Sequence, residues 1–421
     1  MQEQWQLDNG LRVVAERIPH FRSIAIGVWI KAGSQDEGAG ENGVSHFIEH
    51  MLFKGTQTRD AKRIAQEIDA IGGQINAFTS KECTCYYVKV MDEHLAKATD
   101  VLADLVLHPA LDAAELEKER GVILEEISMT EDTPEDLVHE LLAAAHWRDD
   151  PLGRTILGPA QGIRAMKREH LIDYRARKYH PANAVVSVAG NYDPAQLREC
   201  MEACFAAWPS GTAETNTLGA PELTRDIRLQ PKDAEQMHLT FGFEGYKQGH
   251  EDAYALAVLN NILGGGMSAR LFQSIREERG LAYSIYSYPT TYARAGAVSV
   301  YAGINPANAR VVTSLIGREF RRAMREVPAQ DEFDQGREQL KGAYILGQES
   351  TSSRMTSIGR QLLLRGEIID EEETLRRIAR VTREDMLRVA CHCLSGAFSA
   401  SAVGKLPKNI DLRAWYEEEN A

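Results

Sequence analysis

The sequence predicts an α+β fold: two duplicated domains, each a largely antiparallel β-sheet packed with helices. Three observations carry this reading. A chain of 421 residues is too long for one ordinary hydrophobic core. Stretches that alternate apolar and polar residues are interleaved with stretches of helical apolar spacing. The order of these stretches in the first half recurs, weakly, in the second.

Taken in order, residues 11–16 and 23–30 read as strands, and the Gly- and Glu-rich residues 31–43 as a loop. A helix follows through His46 and His50, with Ser45 or Asn42 as its cap and Gly55 as its stop. Residues 61–71 place Ile64, Ala65, Ile68 and Ile71 at helical spacing, and Gly72-Gly73 ends them. Residues 75–91 alternate like strands. Residues 95–106 and 113–129 are helical, and helix continues to Trp147 before a loop at 149–154. A helix at 170–179, a strand at 184–190 and a stretch at 200–208 close the first half. Residues 209–221, rich in Gly, Pro and Thr, read as a linker, so the expected domains are 1–211 and 225–421 joined by 212–224. The second half offers a strand at 238–243, a helix at 253–263, strands within 281–304 and a helix at 309–325. A long helical region at 330–364 follows, then a helix from Thr382 leading into a strand at 397–404. That last unit mirrors the passage from Lys167 to Gly190.

The chemistry is concentrated in His46-Phe47-Ile48-Glu49-His50. Residues four apart on a helix share a face, so His46 and His50 can ligate one metal ion, with Glu49 beside them to take a proton from water. The pattern His-x-x-Glu-His is the inverzincin signature. Three titratable groups among Phe47, Ile48, Met51, Leu52 and Phe53 are costly to bury unless something pairs with them. The second half has Asn260-Asn261-Ile262-Leu263-Gly264-Gly265-Gly266 at the matching place, so only one half carries metal chemistry. Residues 113–129 are acidic, and their periodicity separates the carboxylates. Leu116, Ile123 and Ile127 define an apolar stripe on which Glu119 and Glu126 fall, while Glu117 and Glu125 do not. Catalytic zinc takes about three protein ligands, so one of Glu119 and Glu126 is expected to be the third ligand and the other its support. Periodicity does not rank the two.

Composition narrows the partners and the compartment. A net charge of −13 argues against nucleic acid and against anionic membrane. No apolar run approaches the roughly 20 residues that span a bilayer, and residues 1–8 lack the features of a signal peptide, so a cytoplasmic location is expected. The six cysteines, at 83, 85, 200, 204, 391 and 393, form no Cys-x-x-Cys pair and read as buried thiols.

Together, residues 43–56, 76–80, 117–126 and 151–158 make the chain resemble the pitrilysin/insulinase family of zinc metallopeptidases over essentially its whole length. Within that family it is most similar to bacterial processing proteases and to the beta subunit of the mitochondrial processing peptidase. The resemblance implies that His46, His50 and Glu126 bind Zn2+, Glu126 standing 76 residues after His50, where the family has its glutamate ligand. It implies that Glu49 is the general base and that Glu119 supports the metal site. It implies that Arg276 and Tyr283 reach the substrate, and that Asn76 and Ala77 lie on the strand edge that pairs with an extended peptide. The chain departs from the mitochondrial noncatalytic subunit, whose glycine-rich loop is longer than Gly264-Gly265-Gly266-Met267, so presequence recognition does not carry over. The implied activity is that of a zinc-dependent endopeptidase acting on peptides or short unfolded segments in an enclosed chamber. A catalytically silent partner subunit is the rival reading, and it would show a broken metal motif. A metal hydrolase acting on something other than peptides is a second. The long members of the family hold four such domains, so a homodimer is expected, with Arg276 and Tyr283 of each chain serving the other's metal.

Overall fold

The computed structural model of the chain describes residues 2–212 and 218–418. Its eleven strands run in chain order as β1 (Gln2–Gln6), β2 (Arg12–Arg17), β3 (Ser23–Ile30), β4 (Gln74–Thr79), β5 (Thr84–Met91), β6 (Ala184–Gly190), β7 (Ile227–Pro231), β8 (Met237–Gly245), β9 (Ala282–Thr291), β10 (Gly296–Ile304) and β11 (Ser399–Gly404). They form two sheets, in the orders β1-β2-β6-β3-β5-β4 and β7-β11-β8-β10-β9. Neighbours are antiparallel except β2 with β6 and β7 with β11. This is the α+β architecture expected. Strands β1 and β7 escape a reading by hydrophobicity because neither holds a fully buried residue.

The chain folds into two compact units, and neither is continuous in sequence. One comprises Met1–Ile127, Arg154–Thr217 and Leu346–Ile368; the other comprises Ser128–Gly153, Leu218–Ile345 and Ile369–Ala421. Residues 128–153, expected in a domain of 1–211, therefore fold with the second unit. Residues 346–368, expected in a domain of 225–421, fold with the first. Residues 213–217 of the expected linker lie outside the described residues. The long helical region at 330–364 is two helices, Gln330–Gly347 and Thr351–Arg365, and Ser350 caps the second in extended backbone.

The physical reason is that each sheet is apolar on both faces. In the first unit Ile24, Ile26, Val28 and Ile30 of β3 face a core shared with the helices Val44–Leu52 and Leu95–Leu107. Ala25 and Trp29 face the other way and are covered by Met355, Ile358, Leu362 and Leu363 from the helix Thr351–Arg365. In the second unit the helix Pro134–Trp147 lies on β8 and β11, burying Leu137 and Val138 against Tyr301 and Val403. Each half of the chain thus supplies the helix that covers the other half's sheet. The same hydrogen bond fastens both. Ser187 of β6 donates to the Met355 carbonyl at 2.9 Å, and Ser401 of β11 donates to the Val138 carbonyl at 2.6 Å. Both serines stand three residues before the glycine that ends their strand, so the internal duplication extends to a single bond.

Close approach of the covering helix to the first sheet requires glycine. A Cβ added at Gly359 would lie 2.2 Å from Trp29 Nε1 and 2.6 Å from Ser187 Oγ, whereas one at Gly342 would meet nothing within 4 Å. Gly359→Ala is expected to lower the thermal midpoint, because overpacking of about 1–3 kcal/mol outweighs the roughly 1 kcal/mol gained in helix propensity. Gly342→Ala is expected to raise it slightly. Calorimetry of the two variants checks the pair, and equal midpoints would refute this packing.

Candidate metal centre

The helix Val44–Leu52 buries Val44, Phe47, Ile48, Met51 and Leu52 on one side. This turns His46, Glu49 and His50 towards the helix Ala113–Asp132 and the end of β4. The expected caps are corrected. Gly43 is the N-cap, at φ 97°, with no side-chain cap of its own, and the helix ends at Leu52, before Gly55. The backbone N–H groups of Gly43 and Ser45 donate instead to the buried carboxylate of Glu37, at 2.8 and 2.9 Å.

Ligand-type atoms of His46, His50 and Glu126 lie within 4.8 Å of one another. The Nε2 atoms of both histidines are 3.7 Å from Glu126 Oε2. Glu119 does not face this point. Its Oε2 is 3.1 Å from His50 Nδ1, and its Oε1 is 2.6 Å from Lys54 Nζ. The helix carrying both glutamates buries Glu119, half-buries Glu126 and leaves Glu117 and Glu125 exposed, so the separation the stripe implies holds fully for Glu119 and in part for Glu126.

These contacts decide what the site can hold. In the neutral tautomer whose Nδ1–H donates to the Glu119 carboxylate, His50 Nε2 presents a lone pair towards Glu126. Burial, and secondarily the neighbouring His50, pushes the His46 imidazole down to about 4, so it is neutral at ordinary pH. Two imidazole nitrogens and a carboxylate oxygen therefore converge on one point, a donor set that a cation would hold together. A tetrahedral ion with bonds of about 2.0–2.2 Å holds its ligand atoms roughly 3.4 Å apart, close to the 3.7 Å from each imidazole Nε2 to Glu126. Two nitrogens and one oxygen, with a position left over, suit a catalytic transition-metal ion.

Glu49 stands beside the triad with its Oε2 accepting from Thr79 Oγ1 at 2.5 Å. Burial raises its carboxyl above the ordinary glutamate value, and Glu126 adds to this, while the Thr79 hydrogen bond and His50 pull it down. Thr79 ends β4, the free edge of the first sheet. Asn76 is exposed on that edge, and the Ala77 N–H donates to the Asn76 side chain at 2.8 Å. Arg276 and Tyr283 belong to the second unit. There the Arg276 guanidinium lies 4.8 Å from the Phe272 ring centre and 5.6 Å from that of Tyr283, which is 74% exposed. The sequence reading missed Thr79, Lys54 and Glu37 as members of the site. Each lies in or beside a stretch already singled out, but nothing in its residue type points to a role.

The profile described as insulinase, peptidase family M16, matches residues 12–160, and that of the peptidase M16 inactive domain matches residues 165–340. The "uncharacterized zinc protease YmxG" of Bacillus subtilis is 42% identical over 384 residues, covering 91% of this chain and 93% of its own. The "uncharacterized zinc protease Rv2782c" of Mycobacterium tuberculosis is 42% identical over 408 residues, covering 94% and 92%. A solved structure described as a protease from Helicobacter pylori shares the fold, with TM-score 0.89 at 22% identity over 96% of this chain and 99% of that one. The chain belongs to the insulinase family, peptidase family M16.

Glu126→Gln is expected to weaken binding of a divalent transition-metal ion far more than Glu117→Gln or Glu125→Gln. Glu119→Gln should fall between, at about 10–100-fold. Elemental analysis after dialysis against a chelator measures this, and equal retention in all four variants would show that the third ligand lies elsewhere.

Proposed function

We propose that the chain is a zinc-dependent endopeptidase. The observation that carries this reading is the convergence of His46, His50 and Glu126 with Glu49 beside them. The names of the relatives, zinc proteases at 42% identity, support it. In this reading His46, His50 and Glu126 hold the zinc ion, which when bound supplies Lewis acidity to a peptide carbonyl and to a water molecule. The Glu49 carboxylate takes a proton from the attacking water and passes it to the nitrogen of the departing amine. Thr79 holds Glu49 by the oxygen it bonds, leaving the other carboxylate oxygen for the proton. Glu119 and Lys54 keep His50 in one tautomer and one orientation.

The substrate is proposed to be an extended peptide or short unfolded segment that adds to β4 beside Asn76 and Ala77. For this the Asn76 side chain must release the Ala77 N–H it accepts from. Tyr283 would donate to the developing oxyanion and Arg276 would hold the peptide. We further propose a cytoplasmic homodimer that encloses the substrate in a chamber, with Arg276 and Tyr283 supplied by the partner chain. A fully active monomer in sedimentation would sink this arrangement. Among the described residues no helix is long and apolar enough to cross a membrane.

Glu49→Gln is expected to abolish hydrolysis of a mixed peptide digest, read by mass spectrometry, while zinc stays near one ion per chain. Loss of the metal in that variant would show the roles to be misassigned. The second expectation concerns pH. Activity requires ionised Glu49, so it falls as pH drops through the pKa of this group, which lies above the ordinary value. Thr79→Val removes a hydrogen bond that lowers that pKa, so the acid limb of kcat/KM should move to higher pH. A limb unmoved or shifted to lower pH would count against Glu49 as the base.

A further inference from the structure

Four chain segments, one of them the start of the metal helix, are joined into a ring by hydrogen bonds. The first is the loop Gly33–Glu37 that follows β3. It lies directly against the turn after β4: Ser34 N donates to the Ser80 carbonyl at 3.1 Å and Gln35 N to that of Lys81 at 2.9 Å. A Cβ at Gly33 would sit 2.5 Å from both of those carbonyl oxygens. The second segment is the helix start. Glu37, 4% exposed, accepts there from Gly43 N, Ser45 N and Asn42 Nδ2. The third is the stretch from Arg154 to Gly158, part of the segment 151–158 that carries the family resemblance. Arg154 donates to the Glu37 carbonyl at 2.9 Å, and Asn42 Nδ2 donates to the Thr155 carbonyl at 3.0 Å. Here backbone meets backbone. A Cβ at Gly43 would lie 2.6 Å from the Leu157 carbonyl oxygen, and one at Gly158, at φ +75°, 2.3 Å from that of Asn42. The fourth segment, the Ser80–Lys81 turn, completes the ring through a bond from the Lys81 ammonium to the Arg154 carbonyl.

The ring has two outlets, and both lead to the chemistry. Ser45, whose N–H is held by Glu37, immediately precedes His46. Thr79, which holds Glu49, immediately precedes Ser80. The helix has no side-chain cap of its own at Gly43, so its first turn is fixed by a carboxylate brought from six residues upstream.

We propose that Glu37 is a positioning residue for the metal centre, setting His46 against Glu126 and Glu49 against Thr79 through one buried carboxylate. This rests on the metal reading given above. It requires that Glu37→Gln, which keeps the shape but turns an amide N–H2 towards backbone N–H donors, loosens the first helical turn.

The test uses the full-length protein, stripped of metal and titrated with Co2+ against a competing chelator. The readings are the dissociation constant, the visible d–d spectrum and the thermal midpoint of the metal-free chain. Glu37→Gln is expected to raise the cobalt dissociation constant about 10–100-fold and to shift the d–d bands. Glu41→Gln, on the same loop but paired with Arg177, is expected to leave both unchanged. Arg154→Ala, which keeps the carboxylate but removes one support, should move both readings in the same direction by about tenfold or less. A fall confined to the metal-free midpoint, with constant and spectrum unchanged, overturns the proposal and makes Glu37 merely structural. If Glu37→Gln fails to fold, unchanged readings in Arg154→Ala overturn it. A wild-type chain that binds no cobalt overturns the metal reading and this proposal together, whereas wild-type binding with unaffected variants overturns this proposal alone.

Discussion

Much of the first unit answers to one constraint: two imidazole nitrogens and a carboxylate oxygen must be held a few ångströms apart. His46 and His50 come from one helix, and Glu126 from another 76 residues on. Burial disfavours the protonated form of His46, and Glu119, 3.1 Å from His50 Nδ1, orients the second ring. The same burial works against Glu49, whose charge it disfavours, and Thr79 offsets part of that cost. The centre is thus a balance of one desolvation acting on bases and acids in opposite senses.

Precision of this kind needs support from rigid elements. The metal helix packs on a sheet that is buried on both faces, and the second face is closed by a helix from residues 351–365. The reciprocal arrangement in the second unit, with Ser401 in place of Ser187, marks both units as copies of one plan. They have diverged where chemistry is concerned. In the helix Ala253–Gly264, Asn260 accepts from Ser287 at 2.8 Å, and Asn261 donates to the Gly336 carbonyl. These are packing bonds, in the copy where the ligand pattern is absent.

A good part of the architecture was legible before any coordinates. Period-two and helical spacing gave most strands and helices, because burial on one face forces that spacing. Residues 2–6 and 227–231 were not legible: they are held by ladder hydrogen bonds at the margins of their sheets, which leave no apolar pattern. The break near Ser350 was also hidden, since both helices around it are amphipathic and only their destinations differ. The expectation that all six cysteines are buried fails at Cys391, which is exposed on the helix Arg383–Leu394, and in part at Cys204, which is half-buried.

By itself the sequence determined the α+β class, the duplication, the family, and that Glu117 and Glu125 lie off the buried stripe of their helix. Those properties follow from local periodicity and from residue types at fixed spacing, which the backbone imposes within a few turns. Tertiary structure alone decided which helix covers which sheet and that Thr79, Lys54 and Glu37 belong to the site. Each of those is a contact between segments distant in the chain, and a side chain's type says nothing about which distant partner will desolvate it.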